Sequence, residues 1–298
     1  MATVVSSGYS ATLFSANFDT DQSALFAVVR APSGATDSTA NFVYDYSTHV
    51  QGGGFTPIPI PSAPNSTGGT TQGLRMSAND GAEVVNVDGI VAYPNVTGLP
   101  ANAWRMTVDV WANYNGNAGG SSGSTQATML GATTTSATVC PFAGGPGTGF
   151  YLTMTGEGGA AADYRTVIGA GNMALNQAAT AWHGGAFYNN LDSVWQSFYQ
   201  SPPYQTAGAP GKAWNTYRLT VNGSTAQLEV KRPSDTAFQL VAITNGLPAG
   251  LISPLIGHTD INAGVPTPLS LQLDNFSVFD NLVIEDLPTA AKDWKLYE

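Results

Sequence analysis

Charge is scarce in this sequence. Only 10% of the residues are Asp, Glu, Lys or Arg, against about a quarter in an average soluble domain. The ten Lys and Arg form no basic cluster and the formal net charge is −10. That balance excludes nucleic acid as a partner and excludes attraction to anionic membrane by charge. No run of 18 apolar residues occurs, so no transmembrane helix or membrane insertion is expected. The single Cys140 allows no intrachain disulfide, and no neighbouring base equips it for chemistry. The first residues, MATVVSSGYSATLFSANF, lack a basic segment followed by a long apolar one. Either an export signal was removed or the protein is made without one.

Catalytic constellations are equally sparse. There are five glutamates, Glu83, Glu157, Glu229, Glu285 and Glu298, and none has a second Glu five residues away. Glu157 and Asp163 are separated by Gly and Ala, the composition of a turn rather than of a strand face. The three histidines, His49, His183 and His258, lie far apart in loop-like contexts, without the spacing of a zinc site. The chain is therefore expected not to be an enzyme, and no cofactor is required.

What is abundant is small, uncharged and turn-forming. Gly (34) and Pro (18) are spread along the whole chain. Between them the dominant hydrophobic period is two. WRMTVDVWANY sets Trp104, Met106, Val108 and Val110 on one side and Arg105, Thr107, Asp109 and Trp111 on the other. YRLTVNGSTAQLEV alternates through Leu219 and Val221 into Asn222-Gly223 and out through Leu228 and Val230, the pattern of a tight hairpin. LRMSA, STQATML, TGFYLTMTGE, DYRTVI, FQLVAI, LSLQLDNF and SVFDNLVIED are further strands. One helix is expected near 191–200, where Leu191, Val194, Trp195, Phe198 and Tyr199 form an apolar stripe closed by Pro202-Pro203. The fold class is all-β, a two-sheet antiparallel sandwich. It is expected as one domain over residues 12–286, with an N-terminal arm at 1–11 and a C-terminal tail at 287–298.

The strings LFSANFDTD, AWNTYRLTVNGSTAQLEV and FDNLVIEDL together resemble the concanavalin A-like lectin/glucanase superfamily and its LamG-like jelly rolls. The resemblance implies that the first and last strands pair. The glucanases of that superfamily carry Glu-x-Asp-x-x-Glu on one strand, which this chain lacks, and its lyases need basic and His-bearing strands that are not visible here. Calcium is possible at Asp19 and Asp21 in FDTD with Asp280 in FDN, on the segments that the resemblance pairs.

Seven aromatic residues fall between Ala181 and Tyr204. The helix stripe accounts for some of them. Trp182, Phe187, Tyr188 and Tyr204 remain in Gly-, Asn- and Pro-rich surroundings, with Asn189 beside them. They are expected either to stack on sugars or to anchor a protein partner. Trp294 and Leu296 in the tail are candidate contacts with a neighbouring subunit. Asn65, Asn95, Asn222 and Asn275 head Asn-x-Ser/Thr sequons. Together these features favour a non-catalytic structural and binding module on the outer face of a particle, such as a virion decoration or fibre protein. The alternatives are a carbohydrate-binding lectin module of a secreted or cell-surface bacterial protein, and a divergent hydrolase or lyase.

Overall fold

The computed structural model describes residues 10–31, 38–49, 59–78, 88–113, 126–138, 144–154, 164–182, 211–260 and 276–288. In chain order the first strands are β1 (Thr12–Ala16), β2 (Phe26–Ala31), β3 (Thr39–Asp45), β4 (Gln72–Ser77), β5 (Asp88–Pro94) and β6 (Ala103–Asn113). Next come β7 (Gln126–Thr133), β8 (Gly144–Pro146), β9 (Gly149–Met154), β10 (Tyr164–Gly169), β11 (Asn172–Leu175) and β12 (Thr180–Trp182). The last are β13 (Trp214–Asn222), β14 (Thr225–Lys231), β15 (Gln239–Asn245), β16 (Ser253–Asp260) and β17 (Phe276–Asp286). Among the described residues the only helical segments are short 3-10 turns, and the helix expected near 191–200 lies outside them.

The strands form two antiparallel sheets that pack face to face as a jelly-roll sandwich. One has nine strands, in the order β12-β15-β14-β13-β6-β17-β4-β3, with β1 paired to β17. The other has eight, in the order β2-β5-β16-β7-β9-β10-β11-β8. First and last strands pair from Thr12↔Glu285 to Ala16↔Leu282, as the resemblance implies.

The alternation read in the sequence builds the core. Trp104, Met106, Val108 and Val110 of β6 and Tyr217, Leu219 and Val221 of β13 point inward. They meet Ile90 and Ala92 of β5, Phe150 and Leu152 of β9 and Ile256 of β16. Each such side chain contributes about 1.5–3 kcal/mol when fully buried. Trp104 keeps its ring N–H satisfied through the Leu251 carbonyl at 3.0 Å. The hairpin turn falls one residue later than Asn-Gly suggests. Asn222 pairs with Thr225, and Gly223 takes the first loop position with φ +58°, a conformation that glycine adopts without strain.

Candidate functional site

The site lies on the outer face of the nine-stranded sheet, where three neighbouring strands change character at the same level. Along β6 the outward residues Arg105 and Thr107 are half-buried, whereas Asp109, Trp111 and Asn113 are buried. On β13 Thr220 and Arg218 are half-buried and Thr216 and Trp214 buried. On β17 Glu285 and Val283 are half-buried and Asp280 and Val278 buried. Register places Asp109 opposite both Asp280 and Thr216, so the change runs straight across the sheet.

The cover is the segment of residues 59–66. Ile60 and Ala63 pack with Tyr46, Trp111, Trp214, Phe276 and Val278, and the Trp214 ring N–H donates to the Pro61 carbonyl at 2.6 Å. The end of the segment is pinned by carboxylates. Asn65 donates its backbone N–H to Asp109 Oδ2 at 3.1 Å and its side-chain amide to Oδ1 at 2.8 Å. Ser66 donates to Asp280 Oδ2 at 2.9 Å. Asp109 also accepts from the Thr216 hydroxyl at 2.5 Å and from the Asn281 amide at 3.1 Å.

A β-bulge supplies Asn281. Between Asp280 and Val283 β17 has one residue more than β6 has between Asp109 and Thr107. The extra residue, Asn281, takes φ +50°, which Asn tolerates better than most residues. Asp280 and Asn281 therefore reach the same polar cluster from consecutive positions.

Burial sets the protonation of this cluster. Asp280 is pushed up to about 7 by loss of solvation. Hydrogen bonds from Ser66, Asn281 and Tyr46 oppose the rise, and the neighbouring Asp109 adds to it. Asp109 is also raised by burial, against the pull of Thr216, Asn65 and Asn281. Burial pushes the Tyr46 phenol up to about 12. Both carboxyl groups are turned to structural donors beneath the segment and its neighbours. Hydrolysis of a glycoside needs two that face the sugar.

Next to the pinned end of the segment the face opens into a cleft of about 760 Å³. Thr107, Thr216 and Val283 lie on its floor, with Pro64, Asn65 and Asn281 at the end where the segment crosses. Ser15, Asn17 and Gln22 line one side, and Lys231, Arg232 and Phe238 the other. The Arg218 guanidinium stacks 3.9 Å from the centre of the Phe238 ring and pairs with Glu229 at 2.6 and 2.7 Å. Arg232 is bound to Asp235 at 2.7 and 2.8 Å, which holds that carboxyl below its ordinary range. Glu285 is the only carboxylate among the described residues of the lining.

Beyond the segment, Arg75, Lys212 and His49 gather at the other end of the same face. Basic and His-bearing positions not visible as a group in the sequence thus meet in space. Arg75 lies 4.7 Å from the Phe276 ring centre, His49 Nδ1 lies 3.1 Å from the Tyr44 hydroxyl, and Lys212 donates to Asn113 at 2.8 Å. Burial pushes His49 down to about 4, and the charges of Lys212 and Arg75 add to this. His258 is not in a loop. It lies in β16 between the sheets, linked to Ser277 at 3.0 Å and to Gln126 at 2.6 Å, and burial with the charge of Arg75 pushes it down to about 3.

Of the residues singled out in the sequence, Trp182 is corrected. It ends β12 rather than sitting in a loop, and its ring belongs to the core beside Tyr164 at 6.5 Å. Pairing with Ala242 of β15 turns it inward. Phe187, Tyr188, Asn189, Tyr204, Trp294 and Leu296 lie outside the described residues. Asp19, Asp21 and Asp280 do not assemble a calcium cage. Asp280 accepts from Tyr46, Ser66 and Asn281, Asp21 from Ser23 and Asp19 from Asn17. Among the described residues no three His, Cys, Asp or Glu side chains come together as metal ligands. Sequence reasoning missed Thr216, Asn281 and Phe238 as cleft residues, and met Asn65 only as a sequon.

No protein-family model matches the chain, and no curated protein matches it. Solved structures do. One is the Ca²⁺/Man-bound form of the VIP36 exoplasmic/lumenal domain, 11% identical over 84% of this chain and 90% of that one, with a TM-score of 0.41. Another is the Emp47p carbohydrate recognition domain, 12% identical over 85% and 96%, with a TM-score of 0.36. A third is the β-glucanase of Bacillus licheniformis, 10% identical over 94% and 99%, with a TM-score of 0.39.

Proposed function

We propose that this chain is a non-catalytic saccharide-binding module working on the outer surface of a particle or cell. The observation that carries the reading is the lining of the cleft. Asn65, Thr216 and Asn281 present amide and hydroxyl groups to it while held from below by Asp109. Their donor hydrogens are spent on Asp109, Thr216 and Ser66, which leaves their oxygens as fixed neutral acceptors. Beside an aromatic wall these suit a polyhydroxylated ligand, whose ring faces are apolar and whose edges carry donating hydroxyls. With Glu285 as the only lining carboxylate, the acid–base pair of a glycoside hydrolase is missing from the described lining. Placement on a particle, as a virion decoration or fibre protein, belongs to the same proposal. It rests on the composition, a scarcely charged chain rich in small neutral residues.

The test compares wild type with Phe238→Ala on immobilised glycans, together with an assay for release of new sugar ends. Phe238 is half-buried in the cleft wall, so its removal spares the core. Binding by wild type that drops about tenfold or more in Phe238→Ala, the loss of roughly one stacked contact, supports the reading. Equal binding by both proteins, or turnover of the glycan, overturns it.

A further inference from the structure

We infer that the cleft is closed at one end and receives the terminus of a saccharide chain rather than its interior. The inference rests on the saccharide-binding reading above and adds which part of the ligand enters. An antiparallel sheet face open along its whole length shows outward residues alternating with inward ones throughout. Here the alternation stops on β6, β13 and β17 together, at the level of Asp109, Thr216 and Asp280. Beyond that level Trp111, Trp214 and Val278 are sealed under Ile60 and Ala63.

The end wall is rigid by construction. Asn65 is tied to Asp109 through both its backbone and its side chain, and Ser66 to Asp280. Upstream, Trp214 holds the Pro61 carbonyl and the Tyr46 hydroxyl accepts from the Ala63 N–H at 3.1 Å. A chain passing through would have to displace all of these together. In the other direction the floor continues past Thr107 to Glu285, and no described residue covers it as Ile60 and Ala63 do at the closed end. From the level of Asp109 to that of Arg105 the open floor runs about 13 Å at about 3.3 Å per residue, so only the last few sugars of a chain lie within it.

The test is a printed oligosaccharide array in which each glycan appears as a length series, with its outer end either free or capped by one further, different sugar. Binding is expected to depend on the identity of the terminal sugar and to stay level as the chain grows. Capping is expected to lower it at least about tenfold, since a blocked end forfeits the cleft contacts. Binding that rises with length and survives capping overturns the closed-end inference and leaves the saccharide reading standing. A silent array, from protein shown to be folded by a cooperative thermal melt, overturns both.

Discussion

Replacing Asp280 by Asn should make the protein more stable at neutral pH and leave it nearly unchanged in mild acid. The Tyr46 hydroxyl has one proton but two acceptors at 3.1 Å, the Thr70 carbonyl and Asp280 Oδ2. If Asp280 carries a proton it donates to Tyr46, and the Tyr46 proton is released to Thr70. An ionised Asp280 leaves one of these buried acceptors short. The carboxyl is accordingly pushed from 3.8 up to about 7 by burial. Between those values the folded protein holds a proton that the unfolded chain has lost, so stability falls as pH rises. At about 1.4 kcal/mol per pH unit the whole interval is worth up to about 4 kcal/mol. Asn has nearly the same shape, donates to Tyr46 and Ser66 from its amide nitrogen, and never ionises. Urea unfolding of both proteins at pH 4.5, 5.5, 6.5 and 7.5 isolates the effect of Asp280 with its coupled neighbour Asp109, because titrating groups remote from them cancel in the difference. The gap should be small at the acid end and open to a few kcal/mol in favour of Asp280→Asn at pH 7.5. A gap independent of pH, or a variant less stable than wild type at pH 7.5, would refute the argument.

Three other outcomes are expected. Asn65→Ala strips Asp109 of one of its two side-chain amide donors and should cost about 1–3 kcal/mol, read by urea unfolding, while freeing residues 59–66 for faster limited proteolysis. Gly131→Ala would drive a Cβ into the Phe150 carbonyl oxygen on the paired strand β9 and should lower the melting temperature by several degrees; a drop of less than about 2 °C, the shift that only about 1 kcal/mol produces in a chain of this size, would show that the strands separate more easily than their packing implies. Gln126 donates to Asp260, so its oxygen must accept from His258 Nε2–H, and Nδ1 accepts from Ser277. Nitrogen NMR should find His258 neutral and in that tautomer from pH 7 down to about pH 4.5, because its folded pKa lies below the unfolded 6.5 at about 3. The stability held by the neutral ring is present above pH 6.5 and is lost as pH falls toward 3. A titration midpoint near 6.5 would contradict the burial.

The strands that the sequence shows most clearly are those with one face turned from the core. β6, β13 and β14 alternate because Arg105, Thr107, Arg218 and Glu229 remain partly in water. β5 and β16 are harder to read. Val91, Tyr93 and Leu255 on their outer side are as buried as Ile90 and Ile256 on their inner side, so no alternation marks them. The site follows the same logic. Asp109 stands on the polar side of β6 in the sequence, and Asp280 and Asn281 stand out as FDN in an apolar run. Nothing local ties them to Asn65, which lies 44 residues from Asp109 and 151 from Thr216. That contact depends on a covering segment whose course follows from Trp111 and Trp214, aromatic residues on a face that alternation alone would leave to solvent. Trp182 errs in the opposite direction: Gly and Asn after it suggest a loop, but pairing with β15 places it inside.

Two acidic side chains facing each other across neighbouring strands are the raw material of glycoside hydrolysis, and here the covering segment decides what they do. Uncovered, both would lose the burial that raises them and would stand side by side as solvated carboxylates on the sheet face. Covered, the same two groups accept from Asn65, Ser66, Tyr46, Thr216 and Asn281 and become the fixed base of the cleft end. Burying two carboxyl groups is costly unless donors meet them or a proton stays on one, and both conditions hold. Apolar residues at 109 and 280 would remove the cost of burial but leave the Asn65 N–H and amide without an acceptor. The polar pair is therefore explained by what it positions: an end wall and a floor of neutral hydrogen-bonding groups, held stiffly in place.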